Sequence, residues 1–351
     1  MEDYIDLYSD THTRPSAGMR NAMAKARVGD EQSDEDPTTI ELCERVADLL
    51  GCEAGVFMPS GTMCNLAAVL TLTRPGDEVI CDKDSHLYGT EAAGVAAFAG
   101  ASILPLESRN GIFTAEQVRN AVRPKARTAP RSSLVSVEQT TNFSGGAIWA
   151  LQELREVRDV SQELGLNCHI DGARLFNATA TTGIPAREYS AGWNSVCVDL
   201  SKGLGCPVGG VLCGSKDFIR EAWQWKYRLG GAMRQSGILA AAGIYALDYN
   251  LPKLGDDNRK ANLIWNIISA CEHFEFDPAE PESNIIRFTF AHPKMQASVF
   301  AKKCYEQGIR VRDIGGNYIR VTTHLDVTVE ESRKAANVMA DVAYEMFRAC
   351  Q

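Results

Sequence analysis

The sequence lacks the features that mark several large classes of protein. Its 351 residues contain no apolar run long enough to cross a membrane, no internal repeat and no low-complexity segment. The first residues, Met1-Glu2-Asp3-Tyr4, include neither a basic stretch nor an apolar stretch, so we expect no signal peptide. These absences argue against a membrane-spanning protein, a repeat protein and a secreted precursor.

The cysteines and the charge exclude further classes. Eleven cysteines are too few for a disulfide scaffold in a chain of this length, and no two have the spacing Cys-x-x-Cys. We therefore expect no metal site, and reduced thiols in a cytoplasmic protein. The net charge of −9 argues against binding to nucleic acid or to an anionic membrane surface.

The sequence does contain a regular alternation of apolar strands and helices. Strands are predicted at 54–59, 78–82, 102–106, 133–138, 166–170 and 196–200. Alternation with helices of apolar period 3.6 predicts an α/β fold with a doubly wound, mainly parallel sheet. After residue 253 the pattern becomes α+β. We therefore predict an N-terminal arm and large domain at 1–253, and a small C-terminal domain at 254–351.

A single lysine interrupts a buried, glycine-rich stretch. Residues 196–211 run from one apolar strand to another, and Lys202 lies between them, followed by glycines and a proline. Burial disfavours the charged form of a lysine, which lowers its pKa and frees the amine as a nucleophile. Lys202 is therefore either a Schiff-base lysine or a lysine on a surface loop, and this stretch alone favours neither.

An aspartate at the end of the preceding strand favours the Schiff base. Asp171 follows the apolar run 166–170, and the carboxyl end of a parallel strand points into the crevice where α/β proteins bind ligands. Pyridoxal phosphate requires a Schiff-base lysine and a carboxylate that keeps its ring nitrogen protonated. Asp171 could instead cap a helix. With Arg174 and Lys202 following in this order, a cofactor site is the better interpretation.

Three other features fit such a site, although each has a simpler alternative. Ser60-Gly61-Thr62 joins a strand to a helix, where free N–H groups favour an anion, but it could also be a plain N-cap loop. His86 lies just beyond a strand, where a single histidine is more often a capping or core residue. Arg320, on an otherwise apolar strand, is either a surface arginine or a clamp for an amino-acid carboxylate.

Three long motifs closely resemble the L-threonine aldolases, which belong to the beta-eliminating lyase group of fold-type I pyridoxal-phosphate enzymes. The motifs are Asp171-Gly172-Ala173-Arg174-Leu175-Phe176-Asn177, Ser201-Lys202-Gly203-Leu204-Gly205-Cys206-Pro207-Val208-Gly209 and Gly230-Gly231-Ala232-Met233-Arg234-Gln235-Ser236-Gly237. The resemblance implies a large domain with a mainly parallel seven-stranded sheet and a small α+β domain. It also implies cleavage of L-threonine, L-allo-threonine or a related β-hydroxy-L-amino acid to glycine and an aldehyde.

The resemblance further implies three overlapping groups of site residues. The catalytic group is Lys202, His86 and Asp171. The group that binds pyridoxal 5′-phosphate is Gly61, Thr62, His86, Asp171, Arg174, Lys202 and Arg234. The group that binds the amino-acid substrate is Ser9, Arg174, Arg320 and Thr141.

In such enzymes the histidine stacks on the pyridine ring, and the arginine at position 234 often reaches a phosphate across a subunit boundary. We therefore expect a homodimer or homotetramer with active sites at the subunit interface.

Two departures from the family fall on the substrate side. Thr141 stands where many threonine aldolases have a histidine near the substrate's β-hydroxyl, and the acidic stretch 33–37 replaces a tyrosine-glycine pair. The base for the hydroxyl proton is therefore open between His86, a water and the cofactor phosphate. An amino-acid racemase, a β-eliminating lyase and a non-catalytic binding protein are the alternative functions.

Overall fold

The secondary structure comes from a computed structural model that describes residues 4–351. The strands are β1 (Ile5–Asp6), β2 (Ala54–Met58), β3 (Asp77–Asp82), β4 (Ser102–Leu106), β5 (Arg131–Glu138), β6 (Asn167–Asp171), β7 (Ser195–Asp199), β8 (Gly210–Gly214), β9 (Phe274–Phe276), β10 (Ile285–Phe290), β11 (Ile309–Arg310), β12 (Arg312–Asp313) and β13 (Ile319–Thr322). The helices are α1 (Ala17–Ala24), α2 (Pro37–Leu50), α3 (Gly61–Leu72), α4 (His86–Gly89), α5 (Ala115–Ala121), α6 (Leu151–Glu163), α7 (Leu175–Thr182), α8 (Ala186–Ser190), α9 (Lys216–Arg228), α10 (Gly237–Tyr249), α11 (Leu254–Ile268), α12 (Ala297–Glu306) and α13 (Val329–Cys350). The expectation about a signal peptide concerns the first residues, of which 1–3 lie outside the described range.

The central sheet has seven strands in the order β2-β8-β7-β6-β5-β3-β4. Only β8 runs antiparallel to its neighbours, β2 and β7, which confirms the predicted mainly parallel sheet. Alternate residues of β7 belong to different cores, since Val196 and Val198 pack in one and Cys197 in another. Both faces of the sheet are therefore covered, and this explains why consecutive residues of its strands, such as Val196, Cys197 and Val198, are apolar.

The C-terminal part of the chain builds a second core on an antiparallel sheet. Strands β12, β13, β10 and β9 form this sheet in that order, and α11, α12 and α13 contribute residues to the same core. The α+β character predicted for this part is confirmed. The N-terminal arm joins it, because β1 pairs with β11 and Leu7 is buried in the second core. The boundary between residues 253 and 254 stays a prediction, since Leu254 still packs in the core of the large sheet.

Local signals set several helix ends. Thr114 and Gln117 form a capping box at the start of α5, and Gly51 ends α2 with φ of 66°. Helix α3 begins at Gly61, because Ser60 Oγ accepts a hydrogen bond from the Met63 N–H at 3.2 Å and caps it. Residues Val95–Ala99 form a π-helical turn.

The described helices and the cysteines can be compared with the expectations about membrane spans and reduced thiols. No helix within residues 4–351 combines the length and the apolar character that a bilayer span requires. All the cysteines are free thiols. Burial raises the pKa of Cys81 and of Cys304 to about 12, so these thiols stay protonated at neutral pH.

A buried ion pair and two hydrogen bonds fasten the acidic segment around Glu31 to α9 and to the residues that follow this helix. Lys226 Nζ lies 2.6 Å from Glu31 Oε1, and the two side chains are 1% and 3% exposed. The same Oε1 accepts a hydrogen bond from the Met233 N–H at 2.7 Å. The carbonyl of Arg234 accepts a hydrogen bond from the Glu31 N–H at 2.9 Å. The two segments therefore hold each other in place.

Replacing Lys226 by methionine is expected to lower the free energy of unfolding by about 3–5 kcal/mol, because the Glu31 carboxylate stays buried without its cation. Denaturant unfolding at neutral pH measures this loss. The matched control is the double variant Lys226→Met/Glu31→Gln, which removes both charges and should recover most of the stability. A single variant as stable as the wild-type chain would contradict this account of the ion pair.

Candidate active site

The site lies where three neighbouring strands end. Glu138, Asp171 and Asp199 are the last residues of β5, β6 and β7, and Lys202 follows three residues after β7. The register pairs Glu138 with Asp171, so these carboxylates lie on the same edge of the sheet. The structure therefore brings the predicted Lys202 and Asp171 together with two acidic residues that sequence analysis did not assign.

Lys202 is paired with Asp199. Its Nζ donates a hydrogen bond to Asp199 Oδ2, and the two side chains are 16% and 8% exposed. Burial lowers the pKa of Lys202, but the charges of Asp199 and Asp171 outweigh burial and raise the pKa above its ordinary value. The predicted lowering of the lysine pKa is therefore wrong, because it included burial and not the neighbouring carboxylates.

Asp171 is held as an anion by a buried hydrogen-bond network. Its Oδ2 accepts from Asn65 Nδ2 at 2.8 Å, and its Oδ1 accepts from the Ala173 N–H at 3.1 Å. Burial raises the pKa of Asp171, but the charges of Lys202 and His86 outweigh it and lower the pKa. Since α7 begins without a side-chain cap, the alternative of Asp171 as its N-cap is wrong.

Asn65 is oriented in turn by His169. Burial lowers the pKa of His169 to about 4, so the ring is neutral at pH 7. Its Nε2 lies 3.0 Å from Asn65 Oδ1, and its Nδ1 lies 2.8 Å from Ser195 Oγ. Asn65 Oδ1 can only accept, so Nε2 carries the proton and Nδ1 accepts from the serine hydroxyl. The amide group of Asn65 is therefore fixed, with its N–H groups toward Asp171.

His86 is held at its backbone and at one ring nitrogen. Its N–H donates to Glu138 Oε1 at 2.5 Å, and its Nδ1 donates to Glu91 Oε1 at 2.9 Å. Burial lowers the pKa of His86, but the hydrogen bond to Glu91 and the charge of Asp171 outweigh it and raise the pKa. Because a carboxylate faces Nδ1, that nitrogen carries a proton in the neutral ring, and Nε2 is free to accept one.

The His86, Glu91 and Asp171 side chains also have the spacing of metal ligands. One ligand atom from each lies within 4.8 Å of the others. Asn65 Nδ2, however, donates hydrogen bonds to both carboxylates, at 2.8 Å each, and so occupies the space that a cation would need. The expectation of no metal site stays a prediction.

Glu138 connects the histidine to the next loop. Its two carboxylate oxygens accept from the His86 N–H and from the Asn142 N–H, at 2.5 and 3.1 Å. Burial and the charge of Asp171 raise the pKa of Glu138 to about 7. Glu138 therefore anchors the start of α4 and the loop after β5 to the edge of the sheet.

Two arginines meet at the side chain of Asn142. Arg174 and Arg320 both donate through Nη1 to Asn142 Oδ1, at 3.3 and 2.5 Å. Arg174 also forms a bidentate ion pair with Asp10, in which both N···O distances are 2.7 Å. This arginine is 3% exposed, so Asp10 already neutralises it.

Arg320 has no such counter-ion among the described residues. It is 1% exposed, and its Nη2 donates to the carbonyl of Tyr8 at 3.3 Å. Its Nε has no hydrogen-bond partner within residues 4–351. Burial and repulsion by Arg174 and Arg312 lower the pKa of Arg320 to about 9. Arg320 is therefore a buried cation that lacks an anion.

The other predicted substrate residues are buried nearby. Ser9 is 4% exposed, and its Oγ accepts from the Thr11 hydroxyl at 2.8 Å. Thr141 is 1% exposed, and its Oγ1 accepts from the Ala147 N–H at 3.0 Å, within its own loop. Their roles at the substrate stay predictions.

The residues predicted to bind a phosphate lie in two places. Gly61 and Thr62 form the first turn of α3, and a Cβ on Gly61 would lie only 2.4 Å from Asp199 Oδ1, next to Lys202. Arg234 is 61% exposed and lies 2.7 Å from Asp30. The structure therefore places the helix start beside the lysine, whereas Arg234 is paired with the acidic loop of the same chain.

Sequence analysis missed several polar side chains that position the site. They are Asp10, Asn65, Glu91, Glu138, Asn142 and Asp199. Two of them carry a signal that could have found them, since Asn65 is a polar residue in a mostly apolar helix and Glu138, like Asp171, is an acid at the end of a strand. Asp10 and Asn142 lie in polar loops and carry no such signal.

Known proteins resemble this chain over nearly its whole length. The family described as Beta-eliminating lyase matches residues 6–291. Probable low-specificity L-threonine aldolase 2 of Arabidopsis thaliana is 38% identical, and the match covers 93% of this chain and 94% of the relative. Low specificity L-threonine aldolase of Escherichia coli K12 is 36% identical, with 95% and 97% covered. A solved threonine aldolase from Leishmania major shares the fold, with a TM-score of 0.83 at 17% identity, over 96% of this chain and 99% of that one.

The Glu91→Gln variant is expected to lower the pKa of His86, because a neutral amide replaces the carboxylate that stabilises the imidazolium ion. NMR titration of isotope-labelled histidine measures the pKa, and His86→Asn identifies the resonance. In the wild-type chain His86 should titrate above the ordinary value of 6.5. Glu107→Gln is the control, because the Glu107 side chain is 82% exposed and pairs with Lys83. An unchanged His86 pKa in Glu91→Gln would contradict the role given to Glu91.

Proposed function

This chain belongs to the beta-eliminating lyase family, and we propose that it is a pyridoxal 5′-phosphate-dependent aldolase. The reaction is cleavage of the Cα–Cβ bond of L-threonine, L-allo-threonine or a related β-hydroxy-L-amino acid, which gives glycine and an aldehyde. The observation that carries the proposal is that Lys202, three residues after β7, lies close enough to Asp171, at the end of the adjacent strand β6, for its charge to lower the pKa of that carboxyl group. Relatives named low-specificity L-threonine aldolase over nearly the whole chain support the same reaction.

The donor set at the strand ends fits this cofactor. Lys202 provides the amine that carries it, and Asp171, with its lowered pKa, provides the anion for a protonated ring nitrogen. Apart from the Met63 N–H, which Ser60 caps, the first N–H groups of α3 would be available to the phosphate, and this helix start lies against Asp199, the partner of Lys202. When bound, pyridoxal phosphate supplies an electron sink for the negative charge that develops at the substrate's Cα.

Arg320 fits the carboxylate of an amino-acid substrate. Its free Nε and its lowered pKa both indicate a guanidinium that lacks an anion. A carboxylate can accept two parallel hydrogen bonds from an arginine and supplies the missing charge. Arg174, neutralised by Asp10, supports this site by fixing Asn142 rather than by adding a free charge.

His86 is the residue best placed to move the proton of the β-hydroxyl. Its Nε2 is free, and Glu91 stabilises the ring after Nε2 has accepted a proton. Thr141 is unsuitable, because a hydroxyl is a weak base and its Oγ1 already accepts from Ala147. Among His86, a water and the cofactor phosphate, the contacts of His86 favour the histidine.

We also propose a homodimer or homotetramer that acts on small amino acids in the cytosol. Arg234 is 61% exposed, as expected for a residue that reaches a partner's site. Ile238 and Tyr249, at the two ends of α10, are 47% and 56% exposed, and a subunit contact would cover them. The free thiols are consistent with a reducing compartment.

A substrate panel distinguishes the aldolase from a racemase or a β-eliminating lyase. Cofactor-loaded protein is incubated with L-threonine, L-allo-threonine, phenylserine and L-alanine, and glycine, aldehyde and Cα proton exchange are measured. We expect glycine and aldehyde from the hydroxy acids, and no turnover by Lys202→Ala. The control Lys302→Ala changes an exposed lysine and should keep full activity. Proton exchange without cleavage, or normal turnover by Lys202→Ala, would overturn the proposal.

Replacing Arg320 by glutamine is expected to raise the KM for L-threonine by ~10–100-fold, which corresponds to the loss of a charged hydrogen bond worth about 1.5–3 kcal/mol. Arg320→Lys keeps the charge but not the planar pair of donors, so its KM should lie between that of the wild-type chain and that of Arg320→Gln. Arg259→Gln, at an arginine whose side chain is 75% exposed, is the control. An unchanged KM in Arg320→Gln would show that the carboxylate binds elsewhere.

A further inference from the structure

Asp199 is a buried carboxylate to which none of the steps above gives a role. It ends β7, and its side chain is 8% exposed. Its Oδ2 accepts the hydrogen bond from Lys202, but its Oδ1 is buried and has no hydrogen-bond partner within residues 4–351. Burying an anion that has one oxygen without a hydrogen bond lowers the stability of the folded chain.

The carboxylate lies against the first turn of α3. A Cβ added to Gly61 would lie 2.4 Å from Asp199 Oδ1 and 2.7 Å from Oδ2. Only a glycine at residue 61 therefore lets the helix start approach this side chain so closely. The beginning of a helix attracts anions through its free N–H groups and its positive dipole end. Asp199 thus places a negative charge where the proposed cofactor would place its phosphate.

We propose that Asp199 is a positioning residue of the cofactor site that opposes the binding of the phosphate and holds Lys202 as an ammonium ion. This inference rests on the proposed function. Two like charges at one helix start repel each other, so uptake of the cofactor requires Asp199 to lose its charge or to give up its position. Asp199 therefore makes the site bind the phosphorylated cofactor less tightly than the same site with a neutral residue.

Asp199 also affects the reaction between Lys202 and the cofactor. Before Lys202 can react, its ammonium group must release a proton. Its nitrogen then forms a C=N bond to the aldehyde carbon of the cofactor, and the aldehyde oxygen leaves as water. Asp199 stabilises the ammonium form of Lys202, so the lysine loses its proton, and reacts with the cofactor, only at a higher pH than it would without this carboxylate.

Other titratable groups lie around Asp199 and Lys202, and those that carry a charge also affect the protonation of Lys202. They are Asp10 on the N-terminal arm, Cys64 on α3, Asp171 on β6, Arg174 before α7 and Cys197 on β7. The charge of Asp171 favours the ammonium form of Lys202, and that of Arg174 opposes it. Both thiols stay protonated, since burial raises the pKa of Cys64 and of Cys197. Asp199 differs from the carboxylates of Asp10 and Asp171, because within residues 4–351 it accepts a hydrogen bond from Lys202 alone and also lies against the helix start.

The test compares two cofactors on protein stripped of bound cofactor. Pyridoxal 5′-phosphate and pyridoxal, which lacks the phosphate, are titrated into wild-type chain and Asp199→Asn between pH 6 and 9, and uptake is followed by visible absorbance. Asp199→Asn should bind the phosphorylated cofactor ~10-fold more tightly or better, and pyridoxal with a smaller gain. For both compounds, reaction with Lys202 should extend to lower pH, because removing the carboxylate lowers the lysine pKa.

Matched variants separate this effect from a general change of charge. Asp171→Asn removes a carboxylate one strand away and should weaken uptake of both compounds, because the ring nitrogen loses its partner. Asp199→Ser, with a smaller neutral side chain, should change uptake in the same direction as Asp199→Asn. Agreement between the two variants would show that the lost charge, and not altered packing around asparagine, causes the change.

Equal or weaker binding of pyridoxal phosphate by both Asp199 variants, with normal uptake by the wild-type chain, would overturn the inference and leave the proposed function intact. Failure of the wild-type chain to take up pyridoxal phosphate would instead overturn the proposed function.

Discussion

The balance of charge at the carboxyl ends of β5, β6 and β7 is the constraint on which the rest of the site depends. Three neighbouring strands end in Glu138, Asp171 and Asp199, and carboxylates in the interior are costly unless hydrogen bonds or cations compensate them. Lys202 supplies the cation, and Asn65 and the backbone of the His86 turn supply the hydrogen bonds. The start of α3 and the loop after β5 are therefore held in the positions that this compensation requires.

The same constraint links the two cores of the molecule. The N-terminal arm, which pairs with β11 of the second core, carries Asp10 to Arg174 of the large sheet. Strand β13 brings Arg320 to Asn142, where it meets Arg174. Arg174 and Arg320 are thus brought from the two cores to the same side chain, Asn142. Under the proposed function, this arrangement would let one amino-acid substrate contact Arg320 of the second core and the cofactor on Lys202 at the same time.

Sequence analysis identified the parts of the site that local pattern reveals. Lys202 could be identified as a charged residue in a buried glycine-rich stretch, and Asp171 as an acid at the end of a strand. Since the strand ends of a parallel sheet meet at one edge, the two could be assigned to the same site. The raised pKa of Lys202 was not visible, because its direction depends on how Asp199 is oriented in space. The pairing of Arg174 with Asp10 joins residues 164 positions apart and leaves no periodic signal. The segment Ser60-Gly61-Thr62 was identified as the join between a strand and a helix, and the Ser60 cap shows that the helix already begins at Gly61.

The most direct test of the account is to find which lysine carries the cofactor. Purified protein is incubated with pyridoxal 5′-phosphate and reduced with borohydride, which fixes the pyridoxyl group on the lysine that holds it, and the digested protein is mapped by mass spectrometry. The account predicts one pyridoxyl group per chain, on the peptide that contains Lys202, and less label when Asp171 is replaced by asparagine. Label on another lysine, or a chain that takes up none, would contradict it.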